Sequence, residues 1–208
     1  MYSHYLEITL KSNRKIYPDY FAGDLLQQLH HVNQRLPQKL AIGFPEIDEQ
    51  NHRIGRVFRI FGAPEALEGF LNQPRVKPLV SNENSYWSLL KTVPESTAVY
   101  MSYVRDRRQE KKSPSAMRRA EERSILRAMA GKNRRLTCAD DVKVLRDNMT
   151  ANREAMVKQP AVSIPMRSSS TGQPFFILIR SVASNQTQEG TFNSYGLSGG
   201  EIIALPHF

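Results

Sequence analysis

The strongest constraint on the fold is the order of hydrophobic periodicities in the first half of the chain. Residues 4–10 (HYLEITL) carry apolar side chains at every second position, which predicts a β-strand. Over residues 18–36 the apolar positions recur at helical spacing, and Pro37 ends that helix. Further elements are predicted in this order: strands at 40–44 and 56–61, a helix at 63–71, and an extended stretch between 76 and 93.

The resulting order of strand, helix, strand, strand, helix and strand is that of the split β-α-β, or ferredoxin-like, unit. We therefore predict an α+β fold with a ferredoxin-like domain at residues 1–94, whose boundary with the rest of the chain lies in the sequence TVPEST at 92–97. This fold supports many unrelated activities, so it does not by itself define a function.

The second half of the chain, residues 95–208, has a different character. It begins with a strand at 98–104, continues through a basic loop and a helix, and passes a polar region at 137–158 that we predict to be helical. In the strand-rich tail, residues 161–167 and 175–181 flank the turn sequence STGQ. This pattern predicts a β-hairpin in which Gly172 adopts a positive φ.

Positive charge is concentrated in one segment. The 208 residues carry a net charge of +9, and residues 105–135 hold 12 Lys/Arg and 4 Asp/Glu, a local excess of eight. Such a concentration is typical of proteins that bind polyanions. A membrane surface is the competing polyanion, but the basic helix lacks the bulky Trp/Phe/Leu face of interfacial helices, so nucleic acid is favoured.

The arginine helix is predicted to start at Ser113 and Pro114, an N-cap hydroxyl followed by a proline in the first turn. On a helical wheel three arginines lie within about 80° of one another: Arg119, Arg123 and Arg127. Glu121 and Glu122 can pair with arginines one turn away. A solvated face with ion pairs along the helix therefore stays open as the alternative to a nucleic-acid surface.

Two residues before this helix have the chemistry of base recognition. Arg107 and Gln109 are separated by one residue, so in extended backbone their side chains leave on the same side. Arginine can bind guanine O6/N7 and glutamine can bind adenine N6/N7, each contributing roughly 1 to 3 kcal/mol of discrimination.

The sequence indicates neither a cofactor nor a metal. Cys138 is the single cysteine, which excludes an internal disulfide and a cysteine-based zinc cluster, and we expect an inert thiol. The acidic residues and histidines form no cluster with ligand spacing. No run of about 18 apolar residues and no signal-peptide pattern is present, so we expect a cytoplasmic protein without a membrane partner.

Several segments taken together resemble the CRISPR-associated endoribonuclease of subtype I-F systems. They are LLQQLHH in the first helix, GFPEID after it, RRQ before the arginine helix, MRSSSTGQPFFILIR, GTFNSYGLSGG and the terminal aromatic residue. The resemblance runs from residue 4 to residue 208. It implies a prokaryotic protein with a ferredoxin-like N-terminal domain and a basic C-terminal domain whose arginine helix enters the major groove of the CRISPR repeat hairpin.

The same resemblance implies metal-free cleavage of precursor CRISPR RNA at the 3′ base of that hairpin. The enzyme then keeps its product and becomes a subunit of the subtype I-F surveillance complex. Its catalytic residues match His30 as general base, Ser168 and Tyr195. Its RNA-binding residues match the following positions: Arg107, Gln109, Arg118, Arg119, Arg123, Arg127, Ser170, Thr171 and Phe175.

The chemistry of metal-free RNA cleavage suits these residue types. A base must deprotonate the 2′-hydroxyl, and a histidine with an ordinary pKa of about 6.5 is mostly neutral and basic at cell pH. Serine and tyrosine hydroxyls can hold the ribose in the reactive geometry. A non-cleaving RNA-hairpin binder, acting as a structural subunit of a ribonucleoprotein, is the alternative function.

Overall fold

The computed structural model describes residues 2–11, 16–81, 83–94, 99–107, 114–130, 139–157, 160–184, 191–199 and 203–208. The helices are α1 (Pro18–Asn33), α2 (Pro64–Leu71), α3 (Lys77–Val80), α4 (Pro114–Met129) and α5 (Ala139–Val157). The strands are β1 (His4–Leu10), β2 (Ala41–Gly43), β3 (Val57–Gly62), β4 (Ser85–Trp87), β5 (Lys91–Thr92), β6 (Val99–Arg105), β7 (Val162–Arg167), β8 (Pro174–Ser184) and β9 (Leu205–His207). The predicted α+β class is confirmed.

The chain divides into two compact units. The first unit contains Met1–Arg105 together with Ala161–Phe208, and the second contains Asp106–Pro160. This division, at residues 105/106 and 160/161, differs from the domain boundary that the sequence predicts between residues 94 and 95. Compact units defined by contacts do not test that boundary, which stays a prediction.

The first sheet of unit one has the strand order β2-β3-β1-β4, and β5 also pairs with β1. All of these pairs are antiparallel, with Tyr5 opposite Phe61 in the central pair of strands. Because β3 lies between β1 and β2, helix α1 connects two strands that do not touch, which is the arrangement of a split β-α-β unit. The extended stretch predicted between residues 76 and 93 is two short strands preceded by the helical turn α3.

The second sheet of unit one has the order β7-β8-β6-β9, again antiparallel throughout. The predicted hairpin is confirmed, with Arg167 opposite Pro174 at its end. Gly172 has φ +70°, and its N–H donates to the Ser168 carbonyl over 2.8 Å. The turn therefore needs a residue that accepts a positive φ, as the sequence indicates.

Helix α1 lies against both the first sheet and β7. Pro18 occupies its first turn, and Phe21, Leu25 and Leu29 are buried at helical spacing. Gly23 permits the close approach to β7, since a Cβ at this position would lie 2.1 Å from the carbonyl oxygen of Pro165. The helix ends at Asn33, three residues before the predicted end.

Apolar side chains from both sheets and from α1 and α2 form one buried cluster. The C-terminal aromatic residue joins its edge, with the Phe208 ring 5.1 Å from Tyr5 and 4.3 Å from the guanidinium carbon of Arg59. Among the described residues, no helix is long and apolar enough to cross a membrane.

Unit two, as far as it is described, consists of α4 and α5. Helix α4 begins at Pro114 as predicted, and the polar region 137–158 contains α5 as predicted. A salt bridge joins the two helices, with Arg146 Nε 2.7 Å from Glu121 Oε1. Ser113 and Cys138 lie outside the described residues.

Candidate active site

His30 lies in the last turn of α1, where its half-buried ring meets the loop between β8 and β9. The ring nitrogen Nδ1 is 2.7 Å from the hydroxyl oxygen of Ser194. The other ring nitrogen, Nε2, is 3.0 Å from the side-chain nitrogen of Gln34, one helical turn further along the chain. Both ring nitrogens therefore have a defined partner.

These partners define the tautomer of the imidazole. The amide nitrogen of Gln34 is only a donor, so Nε2 of the neutral ring accepts this hydrogen bond. Nδ1 then carries the proton and donates to Ser194 Oγ. The lone pair of Nε2 points toward the exposed side chain of Gln34, so a ligand hydroxyl that displaces this amide reaches the basic nitrogen.

Tyr195 provides a flat support for the same ring. Its phenol ring stacks on the imidazole of His30, with the ring centroids 4.5 Å apart and the planes inclined by 15°. Arg105, at the end of the inner strand β6 of the second sheet, has its guanidinium carbon 5.9 Å from the centroid of the Tyr195 ring. Among the described residues none bonds the Tyr195 hydroxyl, which leaves this O–H for a ligand.

Asn33 ties the loop of Ser194 and Tyr195 to the end of α1. Its side chain is buried, and its amide nitrogen donates to the carbonyl oxygens of Leu40 at 3.0 Å and of Ser194 at 3.1 Å. Its amide oxygen accepts from the N–H of Leu40 at 2.8 Å. One side chain thus links α1, the start of β2 and the loop, and it lies only three residues after His30.

The backbone of the loop is held to both sheets. Gly196 has φ +77°, and a Cβ there would lie 3.0 Å from the carbonyl oxygen of Leu40, so this position favours glycine. The N–H of Ile42 donates to the carbonyl of Gly196 at 3.0 Å. The N–H of Ser198 donates to the carbonyl of Tyr103 at 2.9 Å.

The environment of His30 favours its neutral form. Burial of the ring lowers the pKa of His30 from its ordinary value of 6.5, and the neighbouring charge of His31 lowers this pKa further. The centroids of the two imidazole rings are 5.9 Å apart. At neutral pH the ring is therefore unprotonated and able to accept a proton.

Ser168, Ser170 and Thr171 lie together in the β7–β8 turn. The hydroxyls of Ser168 and Ser170 are 3.2 Å apart, and the N–H of Thr171 donates to Ser168 Oγ at 3.3 Å. These hydroxyls bond one another and the turn backbone. Within the described chain, the hydroxyl that bonds His30 belongs to Ser194 and not to Ser168.

The predicted RNA-binding residues fall into three groups. Arg119, Arg123 and Arg127 are exposed at four-residue spacing on α4, and Arg107 is exposed just after β6. Gln109 and the side chain of Arg118 lie outside the described residues. Phe175 is half-buried and packs against the core of unit one, while the next residue, Phe176, is 60% exposed.

The alternative of ion pairs along the arginine helix is not what the structure has at Glu121. This carboxylate pairs with Arg146 on α5 rather than with an arginine one turn away on α4. The exposed side chains of Arg123 and Arg127 make no ion pair within the described part of unit two. The guanidinium groups of Arg123 and Arg127 therefore stay available to an anionic ligand.

Sequence reasoning missed Ser194, Asn33 and Gln34. Ser194 stands beside Tyr195 in the segment NSYGLS, and Asn33 and Gln34 follow His30 by three and four residues, which places them on the same side of the helix. These spacings were visible, but their pairing with a loop more than 160 residues away was not. Over the described ranges, His, Cys, Asp and Glu nowhere form a group of three or more that could hold a metal ion.

The fold and site define an α+β protein with a histidine held between a hydroxyl and a tyrosine ring, together with an exposed arginine face on a separate compact unit. The family model for CRISPR-associated protein (Cas_Csy4) matches residues 5–208. The chain belongs to this family, which confirms the resemblance found in the sequence. It is also 26% identical over 210 residues to the CRISPR-associated endonuclease Cas6/Csy4 of Pseudomonas aeruginosa (strain UCBPP-PA14), covering 96% of this chain and 97% of that protein.

Proposed function

We propose that this protein is the endoribonuclease that processes precursor CRISPR RNA in a subtype I-F system. It binds the repeat stem-loop, cleaves at the 3′ base of the hairpin without a metal ion, and stays bound to the mature guide RNA as a subunit of the surveillance complex. Membership of the family and the endonuclease named among its relatives support this function. The observation that carries it is the neutral His30 ring held between Ser194 and Tyr195.

His30 acts as the general base in this mechanism. Its Nε2 accepts the proton of the ribose 2′-hydroxyl, which displaces the amide of Gln34 from that nitrogen. The 2′-oxygen then attacks the adjacent phosphorus, and the bond from phosphorus to the 5′-oxygen of the next nucleotide breaks. The products are a 2′,3′-cyclic phosphate and a 5′-hydroxyl, whose proton comes from water.

Ser194 and Tyr195 keep this base in position. The hydrogen bond from Nδ1–H to Ser194 holds the tautomer with a free lone pair on Nε2, and the stacked phenol ring restricts rotation of the imidazole. Holding a reactive group within a narrow range of geometries can supply several kcal/mol of the barrier. The Tyr195 hydroxyl and the hydroxyls of the turn at residues 168–171 are donors for the ribose and the phosphate oxygens.

The arginine helix supplies the electrostatic part of RNA binding. Arg119, Arg123 and Arg127, with Arg118, neutralise phosphates of the stem, and Arg107 and Gln109 read base edges. Phe175 supports the last base pair by stacking. These roles follow from the family resemblance and agree with the exposed positions of Arg107, Arg123 and Arg127.

The test is incubation of purified protein with a panel of CRISPR repeat RNAs in EDTA, with both ends of the products identified. We expect one cut at the 3′ base of one repeat hairpin, with a cyclic phosphate end, and no cut when the nucleotide before the scissile phosphate carries a 2′-deoxyribose. A cut that needs added Mg²⁺ would contradict the metal-free mechanism. Tight binding of a hairpin without any cut product would instead establish the structural-subunit alternative.

A further inference from the structure

A groove of about 480 Å³ lies beside the candidate active site, between the end of α1, helix α2 and the turn that follows α2. This volume falls in the range of roughly 300 to 1,000 Å³ that is usual for ligand sites. Its polar lining includes two arginines, one carboxylate, a histidine and three glutamines, namely Arg35, Arg75, Glu65, His31, Gln28, Gln34 and Gln73. All of these residues belong to unit one.

Gln34 connects the groove to His30. Its side chain lines the groove, and the same amide donates to His30 Nε2 at 3.0 Å. In the proposed mechanism this nitrogen receives the proton of the attacking 2′-hydroxyl. Only the side chain of Gln34 therefore stands between this nitrogen and the residues that line the groove.

The groove has the chemistry of a site for single-stranded nucleic acid. Arg35 and Arg75 are exposed and make no ion pair with any described residue, and Glu65 is the single carboxylate in the lining. The arginines can neutralise phosphates, and the glutamine amides can bond base edges. Val32, Leu36 and Ala66 add apolar surface against which base faces can pack.

We propose that this groove binds the single-stranded RNA that continues on the 3′ side of the scissile phosphate. The proposal rests on the proposed function, because it takes His30 as the base and the 3′ foot of the hairpin as the cut site. The stem precedes that phosphate in the RNA chain, so the nucleotides that reach past His30 into the groove are those that follow it. The groove then guides the segment that is released after cleavage.

Gly69 offers a way to close the groove without disturbing the fold. It lines the groove from α2, and a Cβ at this position would meet no heavy atom within 4 Å. Replacing a glycine inside a helix also removes its unfavourable helix propensity. Gly69→Tyr therefore fills the space with a ring, and Gly69→Ala is the matched control that leaves it open.

The experiment compares two uncleavable RNAs built on the repeat that the protein cuts. Both carry a 2′-deoxyribose before the scissile phosphate; one ends a single nucleotide beyond it and the other continues for six more. For the unmodified protein we expect the 3′ extension to tighten binding about 3- to 10-fold. The slope of log affinity against log salt should steepen by about 0.7 for each phosphate neutralised.

Gly69→Tyr and the double variant Arg35→Ala/Arg75→Ala should bind the extended RNA no more tightly than the short RNA. They should bind the short RNA as the unmodified protein does. Gly69→Ala and Arg53→Ala, which changes an exposed arginine outside the groove lining, should keep the tighter binding of the extended RNA, and Glu65→Gln should increase it. Equal affinity for both RNAs, or a gain that survives Gly69→Tyr, would overturn the proposal. So would a gain that appears only when the RNA is extended on its 5′ side.

These outcomes are distinct from failure of the proposed function. If neither RNA is bound and no repeat is cleaved, the endoribonuclease assignment itself fails, and the groove proposal fails with it. If the hairpin is bound and cut but the extension has no effect, only the groove proposal is overturned.

Discussion

The two compact units of this protein hold their functional groups in opposite ways. In unit one, the His30 ring has a partner on each nitrogen and on one face, and the loop that supplies two of these partners is tied down by the buried side chain of Asn33. In unit two, Arg123 and Arg127 extend into solvent from a helix joined to its neighbour by the Glu121–Arg146 ion pair.

This difference corresponds to two kinds of chemistry. Proton transfer needs a base fixed to within a fraction of an ångström, so it benefits from a packed and hydrogen-bonded surrounding. Electrostatic attraction to a polyanion falls off slowly with distance and depends mainly on the number of cations, so exposed side chains are sufficient. Substitutions around the His30 ring should therefore act on the rate constant for cleavage, and substitutions on α4 should act on affinity and its salt dependence.

The largest effect on stability is expected for Asn33→Ala. This change removes the three hydrogen bonds of a buried side chain and leaves the N–H of Leu40 without its partner, which should lower the free energy of unfolding by about 2 to 4 kcal/mol. The loop of Ser194 and Tyr195 loses its link to α1, so the cleavage rate constant should fall as well. Denaturant unfolding measures the first effect, and single-turnover cleavage at a temperature where the variant is folded measures the second.

Asn72→Ala, at an exposed position after α2, is the control for this substitution and should change stability by no more than about 0.5 kcal/mol. A stable Asn33→Ala protein with full cleavage activity would show that the loop does not depend on this side chain.

The double variant Arg123→Ala/Arg127→Ala should weaken binding of the repeat hairpin by roughly tenfold or more at physiological salt. The slope of log affinity against log salt should become shallower by about 0.9 per arginine that contacts a phosphate. The cleavage rate constant at saturating protein should stay unchanged. Arg53→Ala/Lys77→Ala removes the same charge from exposed positions of unit one, and an equal loss in this control would assign the effect to net charge rather than to α4.

A smaller effect is expected for Ser194→Ala. The His30 ring loses the acceptor on Nδ1, so its orientation and tautomer are less restricted, and we expect the single-turnover rate constant to fall roughly tenfold. The hairpin affinity should not change. Ser194→Thr keeps the hydroxyl and should restore most of the rate, whereas an equal loss in both variants would point to packing instead of the hydrogen bond.

The smallest expected effect is a shift in the midpoint of the pH–rate profile for cleavage when His31 is replaced. The rate should fall as pH falls through the pKa of His30, because the protonated ring cannot accept the 2′-hydroxyl proton, and the midpoint should lie below 6.5. In His31→Gln one cause of the lowered pKa is removed, so the midpoint should move upward, while burial still keeps it below 6.5. Rate profiles on the RNA without a 3′ extension measure this shift, and a downward shift would contradict it.

Local periodicity predicted most of the elements but not the site. The strands at His4–Leu10 and Val57–Gly62, the helix starting at Pro18 and the hairpin with Gly172 follow from side-chain spacing and turn residues. Between residues 76 and 93 no clear period exists, since the strands there are only two or three residues long, and this region was predicted only as extended.

The site could not be derived in the same way, because its parts are distant in the sequence. His30 and Ser194 are 164 positions apart, and the contact depends on how the C-terminal loop crosses the start of β2. The family resemblance identified His30 and Tyr195, and the structure brings these two residues together. The resemblance did not identify Asn33, because the role of this residue depends on burial of a side-chain amide that an isolated helix would expose to water.

The central claim is that the imidazole of His30, and not its neighbour, takes the proton of the 2′-hydroxyl. The direct measurement is single-turnover cleavage in EDTA of the repeat RNA without a 3′ extension, by His30→Ala and by His31→Gln. We expect His30→Ala to lower the rate constant by about 10²- to 10⁴-fold with unchanged hairpin affinity, and His31→Gln to cleave within a few-fold of the unmodified protein at pH 8. Undiminished cleavage by His30→Ala, or a greater loss in His31→Gln, would contradict the claim.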